Sequence, residues 1–135
     1  MIFIPSFSVK WLKQAESDLK AAKDSLESRN YDWSCFQAQQ SAEKALKAYL
    51  YSLGYTSIIT HSLKELVMEA KKREPKFSEI EDPARFLDMF YIPTRYPNGL
   101  AGNMAPCEFY EKGDAIKCIS YAELILKTSK KFIKN

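Results

Sequence analysis

The sequence predicts an all-α fold, and three features carry that prediction. Apolar residues recur at three- and four-residue steps over three long stretches, which is the period of one helix face. No stretch alternates apolar and polar residues between hairpin turns, as a half-buried strand would. Glycine and proline number four and six among 135 residues, and most of them fall in the breaks between periodic stretches. Three long helices and two shorter ones suit an antiparallel, up-and-down bundle of about five helices around a four-helix core.

The first helix spans about Ser8 to Ser28, with Trp11, Leu12, Ala15, Leu19, Ala22 and Leu26 on one face and Lys13, Glu16, Lys20 and Lys23 opposite. Asn30 is the expected break. The second runs from about Asp32 to Leu53 with an apolar stripe of Cys35, Ala38, Ala42, Leu46, Tyr49 and Leu53. Gly54 stands where a helix stops, since glycine accepts the left-handed turn. Ser62 and Glu65 match a capping box that opens a third helix, which Pro75 would end. A fourth covers about Ser78 to Tyr91, with Asp82-Pro83 reading as an N-cap and first-turn proline. The stretch from Ile92 to about Cys107 is a long loop, and loops of that length in compact domains often carry function. The last helix, about Glu108 to Ile133, lines one face with Ala115, Cys118, Ile119, Ala122, Ile125, Leu126, Ser129, Phe132 and Ile133. Leu46 and Ile119 are expected where the second and last helices meet.

Residues 1–135 fit a single domain, large enough to bury roughly 70% of its unfolded surface. A net charge of +3 gives no strong DNA signal, because phosphate binding needs clustered charge. The three cysteines, Cys35, Cys107 and Cys118, form no CxxC pair, which argues against a disulfide framework and a zinc site. Cys35 and Cys118 fall on core stripes. The apolar start, Met1 to Val9, lacks a basic leader, and no run approaches the roughly 20 residues of a membrane span. A cytoplasmic protein with no metal and no cofactor is expected.

Opposite its core stripe the second helix carries Phe36, Gln40, Glu43 and Lys47 in one line, flanked by Trp33 and Tyr51. Aromatics among amides and charges suit an interface or pocket. The alternative is a routine surface pair of Glu43 and Lys47. His61, the one histidine, is either a proton carrier or a loop residue fixing the start of the third helix. In YIPTRYPNG, Arg95 beside Tyr91 and Tyr96 either holds phosphate while a tyrosine stacks on a base, or ties the loop to backbone carbonyls. The chain has no glycine-rich phosphate loop. Lys127, Lys130, Lys131 and Lys134 read as a solvated face.

The runs WLKQAESDLKAAK, YDWSCFQAQQSAEKALKAYLYSLG, THSLKELV, FYIPTRYPNG and GDAIKCISYAELIL, in that order, resemble the HEPN (higher eukaryotes and prokaryotes nucleotide-binding) family from about Trp11 to Leu126. The resemblance implies an antiparallel helical bundle, often dimeric, similar to the C-terminal helical domain of kanamycin nucleotidyltransferase. It also implies a minimal nucleotidyltransferase as partner and a nucleotide as ligand, in a toxin–antitoxin-like pair. Ligand binding would fall to Gln40, Glu43, Lys47, His61, Arg95 and Tyr96, and a homodimer interface to Trp33, Phe36 and Gln40. HEPN ribonucleases carry an arginine followed after four to six residues by a histidine. Here Arg95 is followed by Leu100, Ala101 and Gly102 at those positions. The chain departs from that pattern, so no catalytic residue is assigned and a binding module is the leading expectation. The alternative is a metal-independent RNA endonuclease using Arg95 with His61 as a displaced base.

Overall fold

The computed structural model describes residues 6–133. Among them are six α-helices and no strand: α1 (Ser6–Glu27), α2 (Tyr31–Ser52), α3 (Leu63–Lys71), α4 (Glu81–Asp88), α5 (Pro106–Phe109) and α6 (Lys112–Phe132). Short 3-10 turns occupy Pro75–Ile80 and Pro97–Gly99. No described helix is long and apolar enough to cross a membrane.

Helices α1 and α2 form a hairpin. The chain reverses at Arg29 rather than Asn30: Arg29 takes a left-handed φ of 63°, and the Asn30 N–H closes onto the Ser25 carbonyl at 2.8 Å. Small residues line the seam, with Ala15 and Ala22 of α1 and Ala38, Ala42 and Ala45 of α2 fully buried. The backbones come close enough for three buried hydroxyls to cross. Ser8 donates to the Ala48 carbonyl at 2.7 Å, Ser34 to Ala22 at 2.8 Å and Ser41 to Ala15 at 2.7 Å. Apolar periodicity passes over serines, so packing alone reveals this polar seam. Gly54 ends α2 with φ 102°, as its position predicts.

Helix α6 runs antiparallel to α1, because Lys23 meets Glu123 at 3.3 Å while Lys130 meets Glu16 at 3.2 Å. It therefore runs in the same direction as α2. Leu46 and Ile119 both belong to the buried core, at 0% and 6% exposure. Cys35 and Cys118 are buried and Cys107 is exposed.

Four element boundaries differ from the sequence expectation, one of them the end of α4, which stops at Asp88 rather than near Tyr91. Helix α3 stops at Lys71, before Pro75, because the fully buried Phe77 and Ile80 hold a 3-10 turn against the core. Phe77 packs on Tyr49 and Phe132 with ring centroids 4.6 and 5.5 Å away. That turn leads directly into α4, so Ile80 is the N-cap, Asp82 lies inside the first turn and Pro83 follows it there. Proline is tolerated at that point because first-turn N–H groups have no intrahelical acceptor. Finally, the last helix does not begin at Glu108. The one-turn α5 ends at Phe109, and Tyr110 turns inward onto Phe90 at 5.6 Å. Helix α6 then starts afresh with the Asp114 carboxylate accepting from the Glu111 N–H at 2.9 Å.

Candidate functional site

Helix α2 supplies the floor of the site. It is buried on nearly every side, so the line opposite its apolar stripe does not face bulk solvent. Glu43 and Lys47 are each 4% exposed, and Lys47 Nζ donates to Glu43 Oε2 at 2.9 Å. The reading of this pair as a routine surface pair is therefore incorrect. The indole of Trp11, 5.6 Å from Lys47 Nζ, covers Lys47 from the α1 side. Trp11 packs on Tyr51 with centroids 5.4 Å apart and planes tilted by 44°, so an aromatic placed on the first helix for its core face also lids a charge.

The second wall is the start of α3. The sequence predicts a capping box there, and half of it forms: Ser62 Oγ accepts from the Glu65 N–H at 3.2 Å. The other half is replaced. The Ser62 N–H donates to Thr60 Oγ1 at 3.1 Å, and Asp88, from the end of α4, accepts from the N–H groups of Leu63 and Lys64 at 2.7 and 3.1 Å. Asp88 thus fixes the helix start, which frees His61 from that task. The His61 ring is instead exposed, stacked on Tyr91 with centroids 5.2 Å apart and planes at 17°. Its Nδ1 lies 3.2 Å from Glu43 Oε2.

The third wall is the segment Tyr91 to Gly99. Buried Thr94 donates to the Phe90 carbonyl at 2.6 Å, and the N–H groups of Arg95 and Tyr96 return to the Ile92 carbonyl. Gly99 allows a close approach, since a Cβ there would lie 3.0 Å from Pro93 Cα and press on that backbone. This compact double turn delivers Arg95 onto an aromatic shelf. Its guanidinium carbon lies 4.5 Å from the Phe36 ring centroid, 4.7 Å from Tyr91 and 5.0 Å from Tyr96. Nε donates to the Tyr91 carbonyl at 3.0 Å. The reading of Arg95 as a tie to backbone carbonyls is met through Nε, and the terminal NH2 groups have no acceptor among the described residues.

Glu43, Lys47, His61, Arg95 and Tyr96 therefore come together from three separated stretches, with Phe36 and Tyr91 between them. Gln40 is half-buried and donates to Gln39 Oε1 at 2.8 Å. Trp33 is exposed and packs edge-on to Phe36 at 6.2 Å. Two buried polar atoms on α2 lack a hydrogen-bond partner among the described residues, Gln39 Nε2 and Glu43 Oε1. Sequence reasoning missed Gln39 and Asp88. Asp88 is joined to Leu63 only through space, across 25 residues, and Gln39 lies off both stripes of its helix.

A shallow depression of about 270 Å³ opens between His61, Ser62, Asp88 and Tyr91. A larger groove of about 520 Å³, lined by Leu50, Ile58, Ile59, Leu66 and Met68 among others, contains none of the convergent side chains. The smaller one lies against the His61 and Tyr91 rings, and Arg95 lies against the same tyrosine. Leu100, Ala101 and Gly102 supply no proton acceptor, and Ala101 and Gly102 are exposed. The buried Cys118 thiol has its pKa pushed up by the neighbouring Cys35 and by burial.

The HEPN domain model matches residues 8–132. The chain belongs to the HEPN family. A curated relative from Methanocaldococcus jannaschii, named "Putative toxin MJ1304", is 31% identical over 140 residues, covering 95% of this chain and 91% of that protein. Among solved structures, TT1696 from Thermus thermophilus superposes with a TM-score of 0.84 at 32% identity, covering 93% of this chain and 97% of its own. ST0689, an archaeal HEPN homologue, gives 0.78 at 38% identity, covering 94% and 98%. A HEPN domain protein from Thermotoga maritima gives 0.71 at 29%, covering 90% and 95%. This HEPN chain is thus matched along almost its whole length.

Proposed function

We propose that this HEPN chain is a homodimeric binding module that takes a phosphate-bearing ligand, a nucleotide, at Arg95 and works with a nucleotidyltransferase partner in a toxin-like pair. The shelf under Arg95 carries this reading. Three rings and one backbone bond hold the guanidinium in place while its NH2 groups stay open, and a fixed planar fork suits two phosphate oxygens. Tyr96 is 49% exposed and offers a face on which a base can stack. The exposed Trp33 with Phe36 and Gln40 forms the proposed self-contact. The toxin name of the archaeal relative supports the pairing.

Calorimetric titration with nucleoside mono-, di- and triphosphates tests the ligand. Binding should weaken by about 10- to 100-fold in Arg95→Ala, the loss of a charged hydrogen bond. No binding at millimolar ligand would overturn the nucleotide reading. Light scattering should give twice the 15.6 kDa chain mass, and a monomer at all concentrations would remove the dimer. Purification of the untagged protein from its native host should bring down the nucleotidyltransferase.

One observation favours a second reading, RNA cleavage. Arg95 and His61 both lie against the Tyr91 ring, so the single imidazole shares a site with the cation although it comes from another element. Labelled RNA incubated with the dimer decides the matter. Specific cleavage lost in both Arg95→Ala and His61→Ala would establish His61 as base, a contribution of about 10²–10⁴ in rate. Uncut RNA would leave the binding module.

A further inference from the structure

We propose that Glu43, its charge balanced by Lys47, is a positioning residue that fixes the tautomer of His61 and presents Nε2 to the ligand as a hydrogen-bond acceptor. The tautomer half stands on geometry alone. The ligand half rests on the reading of Arg95 as the phosphate anchor.

Glu43 Oε2 receives Lys47 Nζ at 2.9 Å and faces His61 Nδ1 at 3.2 Å. The carboxylate of an ion pair only accepts, so the proton between it and the ring belongs to Nδ1. A neutral imidazole carries one N–H, which leaves the lone pair on Nε2. The Glu43 side chain is 5% exposed and that of His61 is 56% exposed, so the ring is anchored on a buried carboxylate while the imidazole itself reaches solvent. Nε2 has no partner among the described residues. Stacking on Tyr91 at 17° fixes the ring plane, and Arg95 lies against the same tyrosine.

Lys47 matters because it is as buried as Glu43. The two together bring no net charge beneath the ring, so Glu43 orients the imidazole as a neutral pair would. Stability alone explains this pair poorly. Buried ion pairs are commonly matched or bettered by apolar residues of similar volume, and Glu43 Oε1 is left without a partner among the described residues. A carboxylate retained on those terms is explained by the ring it holds. A ligand that fits must carry a donor next to its anion: phosphate oxygens for Arg95 and an O–H for Nε2. A ribonucleoside 3′-phosphate places its 2′-hydroxyl there.

His61 is the one histidine of the chain, so nitrogen NMR of the untagged protein labelled with ¹⁵N-histidine reports this ring alone. The wild type at neutral pH should show the Nδ1–H tautomer. Glu43→Gln, which keeps an accepting oxygen, should retain it. The double variant Glu43→Leu/Lys47→Met, which leaves no charge stranded in the core, should move the ring toward Nε2–H. An Nε2–H wild type, or a double variant with an unchanged tautomer, would overturn the proposal. In calorimetry, adenosine 3′-monophosphate should bind the wild type several-fold to about tenfold more tightly than its 2′-deoxy form. That preference should vanish in the double variant, whereas Arg95→Ala weakens both nucleotides. Equal wild-type affinities would refute the ligand half. A held tautomer with neither nucleotide bound would support the positioning role and refute Arg95 as the phosphate anchor.

Discussion

At Arg95 the guanidinium is held twice: Nε ties the loop through the Tyr91 carbonyl, and the guanidinium carbon lies within 4.5 to 5.0 Å of three aromatic ring centroids. Glu43 and Lys47 show the reverse case, a charge pair shut away from solvent. Glu43→Ala strands an ammonium in the core and should cost about 3–5 kcal/mol in chemical denaturation. The balanced Glu43→Leu/Lys47→Met replacement should cost far less, and equal losses in the two variants would contradict this account. Tyr110 gives a test by pH. Its hydroxyl, ordinarily titrating at 10.0, is pushed up to about 12 by burial, with Cys35, Asp114, Cys118 and Asp32 adding to the shift. Above pH 10 the unfolded chain releases this proton while the folded chain keeps it, so stability falls as pH rises from 10 to 12. Tyr110→Phe should lose less stability over that window than the wild type, and parallel curves would show that Tyr110 plays no part.

Helix ends decide where the site's side chains stand. Asp88 caps α3 from another helix, accepting from the Leu63 and Lys64 N–H groups. Removing it in Asp88→Ala should cost about 0.5–2 kcal/mol, the usual range for a lost cap. Because Leu63 follows His61 by two residues, the variant should also broaden the His61 NMR signals. Unchanged stability would place the cap elsewhere. The α1–α2 turn holds the opposite case, a residue working against its own conformation. Arg29 sits at φ 63°, a region that costs an L-residue roughly 1–2 kcal/mol and suits glycine. Arg29→Gly should therefore raise the denaturation midpoint or leave it level, with glycine's unfolded-state entropy taking back part of the gain. A clear drop would mean that the Arg29 side chain itself stabilises the turn.

Across the whole molecule, α2 is the central element, packed against both α1 and α6, and the site is built on the edge of its core. Leu46 is fully buried and Ile119 nearly so, and Leu46→Ala should cost about 2–5 kcal/mol. A loss under about 1 kcal/mol would mean that this seam does not carry the fold. Helix α2 orients both Phe36 and Glu43, so loosening this core should also disturb the shelf that carries Arg95.

The sequence by itself determined the all-α class, the three long helices and their core faces, because apolar spacing is local and the 3.6-residue period turns it into a face. It also marked Glu43, Lys47, His61, Arg95 and Tyr96 as unusual, since aromatics among charges stand out without any coordinates. Packing decided the rest. The cover over Lys47 comes from Trp11 of α1, and nothing on α2 alone specifies it. The break at Tyr110 and the 3-10 turn at Phe77 arise because burying those rings outweighs continuing a helix. Asp88 at the start of α3, and His61 and Arg95 on either side of one tyrosine, are contacts between distant stretches of chain, made only once the tertiary fold brings those stretches together.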